Sequence, residues 1–227
     1  MASQTKDERL LTRDQMAKRV AFELSDGWLV NIGIGMPTLV LPHVPSDRDV
    51  IFHSENGIVG MGPAPDDPAD YDPDLLTAGK QPASLIAGGA IVNHAESFAI
   101  VRGGRLDAAV LGAFQVAENG DLANWKLLGA KGGSVGGAMD IAVGAKQVLV
   151  MMTHATKDGE PKVVKALTYP VTARNSVTKI FTDMAVIAVT ADGLVLDEVA
   201  PGITPDEVQA ATEPELRISD SLKEIEV

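Results

Sequence analysis

The chain has 227 residues, 45% of them hydrophobic and 22% charged, which is long enough for one large domain with a buried core. Its net charge is −12 and no cluster of lysine and arginine stands out, which argues against a nucleic-acid partner. Because it contains no cysteine, disulfides, thiolate nucleophiles and cysteine-ligated zinc sites are excluded.

Predicted helices and strands alternate in the first half of the chain. Thr12 and Gln15 form a capping-box pattern before a helix that we expect to end at Gly27. The apolar run at residues 28–32 predicts a buried strand, followed by a turn and a short helix through Leu41.

After residue 50 a strand and a loop complete the first half, and short strands cluster in the second half. A second strand, at residues 50–52, runs directly into Ser-Glu-Asn-Gly, and a loop with four prolines and five aspartates follows at residues 63–74. Thr204 caps the last predicted helix. The other predicted segments are an extended stretch at 84–92, helical turns at 95–101, and strands at 107–111, 147–152, 180–181, 184–189 and 194–199.

This order of elements predicts an α/β fold with a central sheet that is parallel in part and mixed overall. No internal repeat or linker divides the chain, so we expect one domain over residues 1–227, with flexible ends at 1–11 and 217–227. The start of the chain lacks the residue order of a signal peptide, and no apolar run approaches the roughly 18 residues of a membrane span. We therefore expect a soluble, cytoplasmic protein with no membrane partner.

Three motifs could carry chemistry, and each also has a purely structural explanation. Glu55 is either a helix-capping acid or a nucleophile on a tight strand-to-helix turn, and general physics favours the cap. The glycine-rich stretch at 132–140 matches neither a dinucleotide fingerprint nor a P-loop, which favours a flexible loop. The turn "NIGIG" at 31–35 is a tight turn or an anion-binding nest.

The histidines have no metal-ligand spacing and assemble no catalytic serine–histidine pair in the sequence. No metal site is therefore expected, and a structural or surface role is favoured for each of them. The four are His43, His53, His94 and His154.

Six motifs occur in one order along the chain: "NIGIGMP", "SENGIVGMG", "TAGKQ", "ESFAIVRGG", "GDLANW" and "GGAMD". Together, from about Thr12 to Glu215, they resemble the B (β) subunit of the family I CoA-transferases, in the 3-oxoacid group. The resemblance implies a three-layer α/β/α fold with a mostly parallel, mixed sheet, the class of the CoA-transferase, NagB and RpiA proteins. The segments "VMMTHATKDGEPK" and "LTYPVTA" favour its 3-oxoadipate branch.

In such enzymes the acid of the Ser-Glu-Asn-Gly element is the nucleophile, and it matches Glu55. The resemblance implies a ping-pong reaction through a glutamyl–CoA thioester, with succinyl-CoA as donor substrate and no tightly bound cofactor. A backbone N–H in "GGAMD" stabilises the oxyanion, for which Gly137 is the best match, with Gly136 as its neighbour. The residues that match CoA-binding positions or adjoin the nucleophile are Asn31, Asn56, Lys80 and Asn124.

The residues and motifs leave several alternatives open. Lys80 could also be a surface charge after a turn glycine. The acceptor is 3-oxoadipate, which is favoured, or acetoacetate. A dicarboxylate acceptor calls for a cation, for which Arg102, Lys131 or a residue of the partner subunit could serve. The residues "KGGSV" before Gly136 stand where many relatives carry Gly-Met, which leaves the shape of the acyl pocket open.

The resemblance also implies a partner. A second oxyanion donor, a glutamine, comes from the A (α) subunit in the family, which gives an expected α2β2 assembly and an inactive isolated chain. A sugar-phosphate isomerase on the same kind of sheet would need a second acid with a matching motif. A non-catalytic ligand-binding subunit would not need Glu55.

Overall fold

The computed structural model describes residues 7–226, which form a ten-stranded mixed sheet, a three-stranded side sheet and four α-helices. The helices are α1 (Arg13–Glu23), α2 (His94–Arg102), α3 (Ala138–Gly144) and α4 (Pro205–Ala210), with 3-10 helices at Met36–His43 and Pro68–Asp70. The strands are β1 (Leu29–Ile32), β2 (Ile51–Ser54), β3 (Ile58–Gly62), β4 (Ser84–Ile91), β5 (Ala108–Leu111), β6 (Gln115–Ala117), β7 (Leu122–Ala123), β8 (Gln147–Met151), β9 (Val163–Val164), β10 (Lys179–Phe181), β11 (Ala185–Thr190), β12 (Gly193–Val199) and β13 (Leu216–Glu224).

The centre of the large sheet is parallel and runs in the order β10-β8-β5-β1-β2. Its strands read as short apolar runs because a parallel sheet is covered on both faces. Val30, Val110 and Leu149 are fully buried there and belong to the single core cluster. The expected α/β fold with a mostly parallel, mixed sheet is thereby confirmed.

Both edges of the sheet contain antiparallel pairs. β3 and β4 extend it beyond β2, and β11, β12 and β13 extend it beyond β10, with β13 parallel to β12.

The carboxyl end of the chain differs from the expected flexible segment, because residues 217–224 lie in β13. At the other end Leu11 is buried and its N–H donates to the Asp183 carbonyl. Residues 1–6 and Val227 of the expected flexible ends lie outside the described residues.

Local capping signals are confirmed at two helices. Thr12 and Gln15 form a reciprocal capping box on α1, and Thr204 and Glu207 form another on α4. The first helix ends at Glu23, earlier than the expected Gly27. Within residues 7–226, none of the helices combines the length and apolar character needed to cross a membrane.

The side sheet has the order β7-β6-β9 and follows directly from the end of β5. Its strands are short, and none of the three is predicted from the sequence. It places Phe114, before β6, and Asn124, after β7, near the carboxyl ends of the central strands. The side sheet thereby forms one wall of the cavity described next.

Candidate active site

A cavity of about 340 Å³ opens at the carboxyl ends of β1, β2, β5 and β8. The chain places β2 on one side of β1 and β5 on the other, so the cavity lies at a switch in strand order, where open α/β sheets bind ligands. Backbone and side chains that follow these strands line it, among them Gly33, Glu55, Gly112 and Asn124. The loop before α3 contributes Ser134 to Gly137 and closes another side.

Glu55 follows β2 on a tight turn that leads into β3. The Gly57 N–H donates to the Ser54 carbonyl at 2.9 Å, and β2 and β3 then pair antiparallel. Gly57 has φ +122°, and a Cβ there would collide with the Val92 carbonyl oxygen, which is why glycine is required. The expected strand-to-helix turn is therefore corrected to a strand-to-strand turn, and Glu55 caps no helix.

The carboxylate of Glu55 lies against Gly137. A methyl group built on Gly137 would lie 2.6 Å from Glu55 Oε2, and one built on Gly136 would lie 3.6 Å from Oε1. Glu55 is half-buried, and its carboxylate makes no hydrogen bond or ion pair with any residue of the described chain. The carboxylate is therefore at the cavity wall and unpaired among the described residues.

Gly137 is the N-cap residue of α3, and Gly136 before it has φ +50°. Neither of their N–H groups donates to an acceptor among residues 7–226. Two glycines with unpartnered N–H groups next to a carboxylate are an arrangement that suits a centre on which negative charge develops. The stretch 132–140 thus divides into a loop and the first residues of α3.

A buried chain of hydrogen bonds lies behind Glu55. Asn31 Nδ2 is 2.9 Å from His53 Nδ1, His53 Nε2 is 2.9 Å from Ser97 Oγ, and Ser97 Oγ donates to the Glu55 carbonyl at 2.8 Å. His53 is fully buried, and this burial lowers its pKa to about 4, so the imidazole is neutral at pH 7. The sequence carries no signal for this series of hydrogen bonds, because the bonded residues are 22 to 44 positions apart.

The loop between Leu76 and Lys80 is tied to the Glu55 turn from the other side. Asn56 Nδ2 donates to the Leu76 carbonyl at 2.7 Å, and the Ala78 N–H donates to Ser54 Oγ at 2.9 Å. Lys80 ends a tight turn with φ +61°, and its side chain is exposed. Asn56 and Lys80 therefore flank the cavity, although neither contributes to its lining.

Asn124 lines the cavity with its side chain held at both ends. Its Nδ2 donates to the Gly112 carbonyl at 3.1 Å, and Thr172 Oγ1 donates to its Oδ1 at 2.8 Å. Thr172 Oγ1 also accepts from the Asn124 N–H at 2.9 Å. The amide is thus fixed in one orientation at the cavity wall.

The structure brings together four of the residues selected from the sequence, since Glu55, Gly136, Gly137 and Asn124 line the same cavity. Asn31 is 1% exposed and faces His53, behind the nucleophile turn. The roles expected from the family resemblance remain predictions for all of these residues.

The two cations considered for an acceptor carboxylate lie outside the cavity lining. Arg102 forms an ion pair with Asp140 at 2.7 Å and lies over the Phe98 ring at 5.4 Å. Lys131 is exposed in the loop before α3. The described chain therefore offers no cation inside the cavity.

The sequence profile described as "Coenzyme A transferase" matches residues 13–211. The chain is 50% identical over 204 residues to the B (β) subunit of a 3-oxoadipate CoA-transferase from Acinetobacter baylyi, covering 89% of this chain and 93% of that protein. It is 42% identical over 210 residues to the B (β) subunit of a probable succinyl-CoA:3-ketoacid coenzyme A transferase from Bacillus subtilis, covering 92% and 97%.

Among solved structures, the acyl-CoA transferase apoenzyme from Escherichia coli O157:H7 superposes with a TM-score of 0.76 at 24% identity. The match covers 98% of this chain and 44% of that chain, so this chain spans less than half of that enzyme. At this identity the similarity shows that the two share a fold.

Proposed function

The chain belongs to the coenzyme A transferase family, and from this premise we propose that it is the catalytic subunit of a two-component 3-oxoacid CoA-transferase with Glu55 as nucleophile. One observation carries the proposal: the Glu55 carboxylate faces the cavity without a partner in the described chain and touches Gly137. A carboxylate used only to cap or to pair would have its partner among the neighbouring groups.

The proposed reaction has two symmetrical halves. Glu55 attacks the thioester carbonyl of succinyl-CoA and expels CoA thiolate, which leaves a mixed anhydride between Glu55 and succinate. The thiolate then attacks the Glu55 acyl carbon, which releases succinate and leaves a glutamyl–CoA thioester. The acceptor carboxylate reverses both steps, takes CoA and restores the Glu55 carboxylate. Because anhydride and thioester are close in energy, each exchange is reversible.

Gly137 supplies the electrostatic part of this proposal. Each attack on a carbonyl develops an oxyanion, and an N–H already aimed at that position costs no reorganisation during the reaction. Loss of one such donor costs about 10²- to 10³-fold in rate in acyl transfer. Gly137 lies next to the Glu55 carboxylate, and its N–H has no acceptor among residues 7–226, which fits this role.

A partner subunit is part of the proposal. The relatives at 50% and 42% identity are both named as B (β) subunits, which implies a complementary α subunit for them. We extend this to the present chain, with α2β2 as the proposed assembly. Its second oxyanion donor is a glutamine of the α subunit. On this proposal the isolated chain transfers no CoA.

The proposed donor is succinyl-CoA and the favoured acceptor is 3-oxoadipate. The higher identity to the 3-oxoadipate relative, 50% against 42%, supports this preference. Acetoacetate is the alternative acceptor. Because no cation lies in the described cavity lining, the second carboxylate of 3-oxoadipate would be bound by residues outside that lining, including those of the α subunit.

The test is capture of the intermediate in the reconstituted complex. The chain is mixed with succinyl-CoA and its α subunit, then treated with borohydride and digested for mass spectrometry. We expect reduction or modification at Glu55 that depends on acyl-CoA. The matched control is Glu55→Gln, which keeps the shape and removes the nucleophile. An unmodified Glu55 in a complex that is turning over would refute the mechanism.

The acceptor is tested separately in the same complex. Steady-state kcat/KM values for 3-oxoadipate and acetoacetate are compared at a fixed concentration of succinyl-CoA. We expect the higher value for 3-oxoadipate. A higher value for acetoacetate would assign the alternative acceptor and leave the role of Glu55 intact.

A further inference from the structure

We propose that His53 and Ser97 are positioning residues that hold the main chain of Glu55 so that its carboxylate faces Gly137. This inference rests on the proposed function, because it concerns the aim of the proposed nucleophile. Its basis is the buried chain Asn31–His53–Ser97, which ends on the Glu55 carbonyl.

The direction of each hydrogen bond from Asn31 to Glu55 follows from the two backbone carbonyls at the ends of the series, which can only accept. The Asn31 Nδ2 atom also faces the His53 backbone carbonyl at 3.3 Å, which only accepts, so the amide nitrogen and not the oxygen lies there. Nδ2 therefore donates to His53 Nδ1, and the imidazole proton lies on Nε2. From the other end, the Glu55 carbonyl accepts from Ser97, so Ser97 must accept from Nε2–H. Both ends give the same direction.

The side chains of this hydrogen-bond series are buried and out of contact with water. The exposed fractions are 1% for Asn31, 0% for His53 and 0% for Ser97, so no solvent molecule can replace a lost partner from the surface. Removing the Ser97 hydroxyl would leave the Nε2–H group buried without a partner and would take from the half-buried Glu55 carbonyl its Ser97 donor. The turn would then shift to find new ones.

The helix that carries Ser97 also contacts the other half of the site. The next residue, Phe98, lies 2.6 Å from a methyl group built on Gly137, and α2 packs against α3. Ser97 thus fixes the Glu55 main chain, while Phe98 limits where Gly137 can lie. One rigid helix sets the separation of nucleophile and oxyanion donor, and a misplacement of about 1 Å there costs about 10²-fold in rate.

A neutral imidazole can be replaced by a side-chain amide. His53→Gln offers an acceptor oxygen to Asn31 and a donor N–H to Ser97, the same order as the imidazole. His53→Leu and Ser97→Ala each remove hydrogen bonds of the series that ends on the Glu55 carbonyl. The control is Thr212→Val, which removes the 2.8 Å contact of Thr212 with His154, another buried histidine, outside the proposed catalytic machinery.

The experiment measures Glu55 thioester formation, kcat and KM in the reconstituted complex, with thermal melting of each variant. For His53→Leu and Ser97→Ala we expect kcat to fall about 10- to 100-fold while KM for succinyl-CoA stays within about threefold. His53→Gln should recover most of kcat. Thr212→Val should lower the melting temperature comparably and leave kcat unchanged. A long-range ¹H–¹⁵N NMR spectrum should show His53 protonated at Nε2.

Two failures are distinguishable. If the wild-type complex forms no thioester at Glu55, the proposed function fails and this inference falls with it. If wild type forms the thioester and the broken-chain variants match Thr212→Val in kcat, positioning is refuted and the proposed function stands. An Nδ1-protonated His53 would also refute the assigned direction.

Discussion

Replacing Gly137 by alanine tests whether the contact between Glu55 and the start of α3 matters for catalysis. The new methyl group would lie 2.6 Å from Glu55 Oε2 and 2.6 Å from Phe98 Cζ, whereas ordinary contacts begin at 3.4 Å. The carboxylate must therefore retreat by about 0.8 Å, the difference between these distances. Alanine keeps the backbone N–H, so the donor itself survives the change.

The magnitude follows from this displacement. A shift approaching 1 Å costs about 10²-fold in rate, equivalent to about 2.7 kcal/mol of activation free energy. Overpacking against Phe98 adds a stability cost of about 1–3 kcal/mol. The backbone adds none, because Gly137 has φ −90° and ψ 1°, which alanine adopts.

The assay is the rate of Glu55 thioester formation in the reconstituted complex, with the unfolding free energy of the chain measured in urea. The matched control is Gly132→Ala in the same loop, since a Cβ there meets no heavy atom within 4 Å and φ is not positive. We expect Gly132→Ala to behave as wild type. A Gly137→Ala variant with kcat within twofold of wild type would show that the contact does not aim the nucleophile.

Three further outcomes are expected from the buried groups. Burial, and for His154 also the charge of Lys162, lowers the pKa of His53 and His154 from 6.5 to about 4, so the folded state resists protonation. Their contribution to stability is complete above pH 6.5 and falls as pH drops toward 4, by about 2 kcal/mol each between pH 6.5 and 5. In urea unfolding, the free energy of unfolding of the His53→Gln/His154→Gln double variant should therefore fall less with pH than that of wild type. An equal fall in the two proteins would refute this. Arg19→Met should destabilise by about 3 kcal/mol, because Glu198 is 5% exposed, would lose its two bonds of 2.7 and 2.8 Å, and would keep only the exposed Lys223 at 3.6 Å. Urea unfolding measures this, and adding Glu198→Leu should recover much of the loss; an Arg19→Met variant as stable as wild type would contradict it. Gly57→Ala should lower the melting temperature and slow thioester formation together, because the turn that carries Glu55 cannot accept a Cβ; a variant with both unchanged would contradict the turn geometry.

Signals that act over a few residues were readable from the sequence. The capping boxes at Thr12 and Thr204 and the buried runs of β5 and β8 all depend on neighbours within about four residues. The end of β2 beside Ser-Glu-Asn-Gly was located within two residues, which was enough to place Glu55 after a strand.

The features that the sequence does not predict depend on contacts between residues far apart along the chain. β3 contains Gly60 and Gly62, which weaken its strand pattern, so the Glu55 turn was expected to enter a helix. β13 is an edge strand with mostly exposed side chains and looks like a polar tail. The hydrogen bonds of His53 could not be predicted for the same reason, since Asn31 in β1 and Ser97 in α2 reach it only in the folded chain.

The parallel pairing of β1 also has a consequence for how the chain folds. Val30 pairs with Phe52 in β2, 22 positions away, and with Ala108 in β5, 78 positions away. Such long-range contacts raise the contact order and slow folding, because a large loop must close before the pairing stabilises it. The cavity is lined from Ile32 to Met151, so a chain emerging from the ribosome cannot assemble it before β8 is made. The cavity therefore forms only after β1, β2, β5 and β8 have all been synthesised, more than half of the way along the chain.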